Sequence, residues 1–436
     1  MIATLRQRDF FLAWLGSLIS MMGDWVMSIA LPIYVYQLTG SALATSGMAV
    51  ARLLPALLLG SVAGVFVDRW DRKRTMIIAN LLLALTLLPL LAVRSGEWIW
   101  VVYAVGTTQS IVGQFFRPAE NALLPRLVDD AHLLTANSLN ALNNNLARLL
   151  GPALGGSAMA QFGLSAVILI DAVSFLFAAA LLALIATSGR VEPAPGDTAV
   201  AAARSWRRLQ QEWQEGLASI RRSRAVAILL GLQSIAFLGE GVFGVMFVIW
   251  VSDVLGGDAR ELGWFMSAQA VGGLAGGLVL GAVSNRLAPV QLLGLGSIAF
   301  GLLDLALFNY PRLFSGVWIG LALIVLVGVP GIGIGTSFTT LLQRSVPDDY
   351  RGRVFGLMGT VSALLMLAGT LIAGTLGNAV GPTLLLTIQG GSYVLMGVLA
   401  LVLLPQAHEV PARAAQVAKE SVYPHAPEPP PTRADG

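Results

Sequence analysis

Cysteine is absent from all 436 residues, which excludes disulfides, thiolate metal sites, iron–sulfur clusters and cysteine nucleophiles. Histidine occurs only at His132, His408 and His425, too few and too scattered for a metal site. Lysine occurs only at Lys73 and Lys419, the other 25 basic residues being arginine, a bias read as genomic rather than functional. Charge of either sign is scarce. Charged residues make up 12% of the chain and apolar ones 56%, whereas a soluble domain is about 25% charged. That shortage argues against a water-soluble protein. The apolar share suffices for about twelve membrane spans of roughly 20 residues each. No P-loop, GxSxG, HExxH or CxxC is present, and the run Gly272–Gly277 lacks the Lys-Ser/Thr ending of a phosphate loop. A membrane enzyme and an ATP-driven pump therefore have no support. No cofactor and no nucleic-acid partner are expected.

The apolar runs that are present cover about 10–38, 43–66, 75–93, 98–116, 138–161 and 165–187, then 225–252, 261–283, 291–309, 317–338, 354–378 and 383–404. They predict an all-α membrane protein of twelve transmembrane helices. The expected organisation is a six-helix bundle over 1–187, a cytoplasmic linker over 188–224, a second six-helix bundle over 225–404 and a disordered tail over 405–436. The first run is too long for a cleaved signal peptide. The linker's second half places Trp206, Leu209, Trp213, Leu217 and Ile220 on one side of a helix. That amphipathic helix either lies on the inner leaflet or packs beneath the bundles. With both termini cytoplasmic, most basic residues fall inside and only Arg94, Arg260 and Arg312 fall in outside loops, as the positive-inside rule expects.

The chain repeats at about half its length. Gly23-Asp24 aligns with Gly239-Glu240, Gly64 with Gly281, Asp68-Arg69 with Asn285-Arg286, Gly151 with Gly369 and Gly156 with Gly374. Six spans per copy give both copies the same orientation, so the repeats are parallel, with a substrate path expected between them near the midplane.

Between spans two and three stands Gly64-Val-Phe-Val-Asp68-Arg69-Trp-Asp71-Arg72-Lys73-Arg74. This resembles the signature loop of the major facilitator superfamily, with Asp71 in place of the usual second glycine. In span five, Gly151-Pro152-Ala-Leu-Gly155-Gly156 resembles the antiporter motif of exporters in that superfamily. Together with the preceding FFRPAENALLPRLV, the segment resembles the branch holding macrolide-efflux proteins and the enterobactin exporter. The likeness covers most of residues 5–404. It implies the major facilitator fold, a monomer in the cell membrane, and a conformational latch of Gly64, Asp68, Arg69 and Arg72 closing on span eleven near Arg353. It also implies alternating access, with the proton gradient as energy source.

Charges inside spans are costly and usually functional. Asp24 and Glu240, near the middle of spans one and seven, coincide under the repeat and are the first choice for proton coupling. A carboxyl in a low-dielectric cavity holds its proton more tightly than in water, so it can load and release one as access alternates. Arg52, in span two, is the candidate partner that keeps one acid ionised. Asp171 and Asp304 are read as structural, in peripheral spans. Asn143, Asn144, Asn145 and Arg148 give span five a polar entrance. Trp25, Gln109, Gln233, Phe243 and Gln269 are candidates to line the substrate cavity, with Trp14, Phe247 and Trp250 as further aromatic surfaces; the alternatives are glutamines that bond across helices and aromatics of which several face lipid or neighbouring helices. The leading reading is a secondary active exporter of an amphipathic small molecule, such as a drug, a macrolide or a siderophore-like compound, by proton antiport. The alternative is a transporter of a native metabolite or lysolipid, including an uncoupled or uptake facilitator.

Overall fold

A computed structural model of the chain describes residues 1–190, 223–284, 286–346 and 348–404. The linker helix expected within 188–224, the tail from 405 and Asn285 lie wholly or mostly outside the described residues. After one turn at Ile2–Leu5, the long helices are α1 (Arg8–Thr39), α2 (Ala42–Val67), α3 (Arg72–Leu87, continued by a 3-10 turn Leu88–Ala92) and α4 (Ile99–Leu127). The stretch Leu133–Ala183 follows. It doubles back at Gly163, whose φ of 73° and ψ of 178° are non-helical, into two limbs, α5 (133–162) and α6 (164–183). The second set is α7 (Arg224–Asp253), α8 (Ala259–Val283), α9 (Pro289–Asn309), α10 (Val317–Ser345), α11 (Asp348–Val380) and α12 (Pro382–Leu403).

No strand occurs among the described residues. In hydrocarbon every backbone N–H and C=O must find a partner within the protein, and a helix satisfies them within its own segment. Ten stretches are long and apolar enough to cross a membrane. The folded stretch containing α5 and α6 crosses twice. The twelfth crossing is α4, diluted by Gln109, Gln114, Arg117 and Glu120. The molecule is a multi-span membrane protein, and its exterior matches that solvent. Large apolar side chains stand exposed on α3 (Ile78, Leu81, Leu82, Leu85) and on α6 (Leu169, Val173, Leu176, Phe177).

α4 runs eleven residues beyond the end expected at 116. Pro118 and Pro125 read as a stop in water, yet both are inside the helix, because packed neighbours re-satisfy the freed carbonyls in a membrane bundle.

Five turns at one end of the bundle carry a glycine at positive φ: Gly40, Gly163, Gly256, Gly316 and Gly381. Gly40 shows why. At φ 59° and ψ 18° it caps α1 and donates its N–H to Tyr36 O, a left-handed geometry that disfavours any side chain. This end is termed the glycine-turn end. The opposite one, holding Asp68 and Asp71, is the basic-loop end.

Within the first set, α1 packs on α5 and α6, α2 on α4, and α3 on α4. Within the second, α7 packs on α11 and α12, α8 on α10, and α9 on α10 and α12. The principal packing between sets is α5 against α8 and α2 against α11. A core of Phe247, Trp250, Phe265 and Phe308 in the second set also receives Ile29 and Ile33 of α1.

Candidate functional site

The two sets of helices meet at glycines. A Cβ on Gly156 of α5 would collide with the Ala259 carbonyl of α8, and one on Gly263 of α8 with the Pro152 carbonyl. Beside them the Ala153 N–H donates to Ser267 Oγ at 3.0 Å. Pro152 and Gly156 thus form the backbone-to-backbone crossing of α5 with α8. Gly151 and Gly155 face the other way, against Trp25 and Val26 of α1. The repeat reproduces this scheme. Gly374 of α11 lies against Ser46 of α2, while Gly369 lies against the Leu238 carbonyl of α7. Both crossings stand seven residues before a turn glycine, Gly163 or Gly381, roughly 10 Å along the helix at 1.5 Å per residue. Tyr36 donates its hydroxyl proton to Asp253, and the Ala42 N–H donates to Asn378 Oδ1 at 3.1 Å. Among the described residues, these hydrogen bonds between the sets all gather toward the glycine-turn end, which is closed.

Inward of the crossings lies a cavity of about 210 Å³ shared by both sets. Pro32, Thr45, Met48, Ala49, Arg52 and Leu53 line one side, and Gly241, Gly244, Val245, Met366 and Thr370 the other. Arg52 is its one charged lining residue. The Arg52 methylenes pack on Gly106 of α4, while Ser110 Oγ donates to the Arg52 carbonyl at 2.6 Å. These contacts hold the Arg52 stem and backbone in place. The rest of the lining is aliphatic or small, so this pocket accepts apolar surface and fixes a polar group at one point.

The acids gather in two layers. Asp24 is solvent-accessible on α1, and the charges that attract it are Arg52 of α2 and Arg117 of α4. Asp171 of α6 is buried against Gly23, and Asp24 and Arg52 both act on it electrostatically. The missing side chain at Gly23 brings α6 onto α1 beside Asp24. In the second set Glu240 is accessible on α7, and the cation acting on it is Arg148, across the boundary on α5. Asp304, 2% exposed, accepts from Gln389 Nε2 at 3.2 Å. A further acid escaped the sequence reading. Glu120 accepts a hydrogen bond from Ser17 of α1, and it was passed over because span four seemed to end before it.

At the basic-loop end, Asp71 is the N-cap of α3, its side chain accepting from the Arg74 N–H at 3.0 Å. The Arg72 guanidinium donates to Ala122 O of α4 at 2.8 Å, and Lys73 Nζ to the Ile185 carbonyl just after α6 at 2.5 Å. The loop therefore ties α3 to its own neighbours. The sequence model of the Major Facilitator Superfamily matches residues 13–364 and, in a second match, 229–432. The chain belongs to this superfamily. It is 26% identical to macrolide efflux protein A of Streptococcus pyogenes over 374 residues, 85% of this chain and 90% of that one. It is 28% identical to the multidrug efflux pump Tap of Mycolicibacterium fortuitum over 401 residues, 89% and 93% of the two chains. The solved structure of a bacterial homologue of the iron transporter ferroportin superposes with a TM-score of 0.71 at 19% identity, covering 92% of this chain and 98% of that one.

The superfamily's signature loop is present between α2 and α3. Asp68 is exposed at the C-cap of α2, and Arg353 stacks over the Tyr350 ring at 5.3 Å. A Cβ at Gly64 or at Gly352 would meet nothing within 4 Å, so the close approach expected at Gly64 is absent with the basic-loop end open. Arg69 sits in the turn after α2, its N–H bonded to Phe66 O.

Of the residues put forward for the cavity, Trp25, Gln109, Gln233, Phe243 and Gln269 are not among its lining. Trp25 packs on Gly151. Gln233 Nε2 donates to Ser362 Oγ at 3.2 Å within the second set, and Gln109 Nε2 is buried without a partner. Phe243 stacks on Phe247 at 4.8 Å, while Phe247 and Trp250 are buried core residues, which corrects their reading as substrate surfaces. Trp14 is likewise engaged, its indole N–H donating to Leu139 O at 3.0 Å.

Proposed function

We propose that the chain is a secondary active exporter of the cell membrane that moves an amphipathic small molecule by proton antiport. A single chain encloses the whole path, so the working unit is a monomer. The observation that carries the reading is the cavity between the two helix sets, closed at the glycine-turn end and lined by aliphatic residues around Arg52. The scarcity of basic residues in the loops of that end supports placing it outside, with both termini in the cytoplasm. The cavity then faces inward, ready to load from the cytoplasm or the inner leaflet. The likeness to macrolide and multidrug efflux proteins supports export and a drug-like or macrolide-like cargo.

Alternating access follows from the two crossings. Parting α5 from α8 and α2 from α11 opens the outer end, and the basic-loop end closes as the sets rock. In that second state Gly64 and Asp68 meet the start of α11 near Arg353, and Arg69 and Arg72 hold the loop in place for the contact. Asp24 and Glu240 couple this motion to protons, with Arg52 and Arg148 stabilising their ionised forms. The test uses inverted membrane vesicles, acidic inside, supplied with an external macrolide. Wild-type uptake should rise with the gradient and collapse with an uncoupler. The variant combining Asp24→Asn with Glu240→Gln should lose that response. Gradient-stimulated uptake at the wild-type rate in the double variant would overturn coupling by this pair.

A further inference from the structure

Asp171 is a buried acid with no task in the scheme above. It is 1% exposed. Its Oδ1 occupies the space a Cβ on Gly23 would fill, which places the carboxyl against the α1 backbone one residue from Asp24. Ser174 Oγ donates to the Asp171 carbonyl at 2.8 Å and lies 3.4 Å from Oδ1. Oδ2 is buried and has no hydrogen-bond partner. A buried carboxylate oxygen without a donor is costly in a low-dielectric interior. The charged groups facing this site from the packed helices are Asp24 of α1 and Arg52 of α2, and Arg117 of α4 faces Asp24.

The repeat supplies an independent observation. Gln389 and Ser392 of α12 lie 218 residues beyond Asp171 and Ser174. They occupy the same place against Gly239, with Gln389 Cγ 3.1 Å and Ser392 Oγ 3.8 Å from a Cβ built there. Each set thus sets a Gly-acid pair on its first helix against a polar pair on its sixth. In the second set the facing group is an amide, which is always neutral. In the first it is a carboxyl, which is neutral only when it holds a proton.

We propose that Asp24 and Asp171 share one proton and together form the proton site of the first helix set. This rests on the proton-antiport reading and assigns its carrier. Hydronium gives a proton to a carboxylate oxygen of Asp24, the accessible member, and leaves as water. The proton passes to Asp171, forming an O–H bond there and restoring the Asp24 carboxylate, whose charge Arg52 and Arg117 meet. Unloading reverses both steps.

The experiment is a pH-difference infrared spectrum of the full-length protein in lipid nanodiscs, read at the carboxylic-acid C=O stretch, with transport measured in the same vesicle assay. Wild type should show a titrating carboxylic-acid band to which the Asp24–Asp171 pair contributes one proton. Asp171→Asn, which keeps the size and polarity needed for a structural bond, should remove that contribution from the band and reduce gradient-driven transport to the rate without a gradient. Asp24→Asn should shift the band's titration, because the pair is coupled; this second variant keeps the test open if Asp171→Asn does not fold. An unaltered band and unaltered gradient response in Asp171→Asn overturn the shared-proton site. A wild type whose transport ignores the gradient overturns proton antiport itself, whatever the infrared spectrum shows.

Discussion

Gly156 and Gly64 are both helical glycines, yet their surroundings differ in kind. A methyl group on Gly156 must displace the Ala259 backbone, and backbone cannot swing aside as a side-chain tip can. Overpacking of this sort costs about 1–3 kcal/mol. Gly156→Ala should therefore lower the melting temperature of the purified protein and stop transport. Gly64 faces open space, and an alanine in a helix is up to about 1 kcal/mol better than glycine. Gly64→Ala should leave the melting temperature unchanged or raised. If the basic-loop end closes onto Gly64 during transport, the same substitution should slow turnover while cargo binding stays intact. Equal turnover in Gly64→Ala and wild type would show that nothing approaches Gly64 in the cycle. Asp71 offers a third single-residue test. As the N-cap of α3 it satisfies the Arg74 N–H, and loss of such a cap costs about 0.5–2 kcal/mol. Asp71→Ala should destabilise the protein by that order in thermal unfolding, and Asp71→Asn should not.

At the scale of helices, the twelve crossings were legible because hydropathy over some 20 residues is a coarse property that survives errors at either end. The end of α4 was not. Arg117, Pro118 and Glu120 look like a loop in a scan for apolar runs, and only the packed bundle shows them inside a helix that continues to Leu127. Which way each side chain points was legible only in part. A helix that is apolar all round has no amphipathic stripe to report its buried face. For that reason the sequence does not tell that Phe247 and Trp250 are core, or that Asp171 lies against Gly23. The repeat carried more information than periodicity did. It marked Asp24 with Glu240, and Gly156 with Gly374, before any contact was known. The substitution of Asp71 for the signature glycine looked like a loosened motif, and the capping geometry gives it a use.

For the whole molecule, the absence of cysteine turns the closed end into a clean experimental handle. A Cβ on Gly374 would stand 2.7 Å from Ser46 Cβ, against the roughly 3.5–4.5 Å of a disulfide, so a shift of about 1 Å admits the bond. The double variant Ser46→Cys with Gly374→Cys has no competing thiol. Oxidation should join α2 to α11, halt transport and leave the inward cavity able to bind cargo, and reduction should restore turnover. Transport by the cross-linked form at the wild-type rate would rule out parting of this crossing.

The twin crossings also bear on how such a gate behaves in time. One sets backbone on backbone at Gly156 and Gly263, the other sets Gly374 on the short side chain of Ser46, so neither has a long side chain between its helices to stretch or bend. Such a contact keeps its dispersion energy at one separation and forfeits much of it within an ångström. Because two of them, related by the repeat, hold the same end shut, releasing one while the other stays in place strains both sets of helices and recovers little. The halfway arrangement is thus poorly populated, and the two crossings yield together. A probe placed on either one should then relax with the same single rate constant, as two latches on a common bolt would.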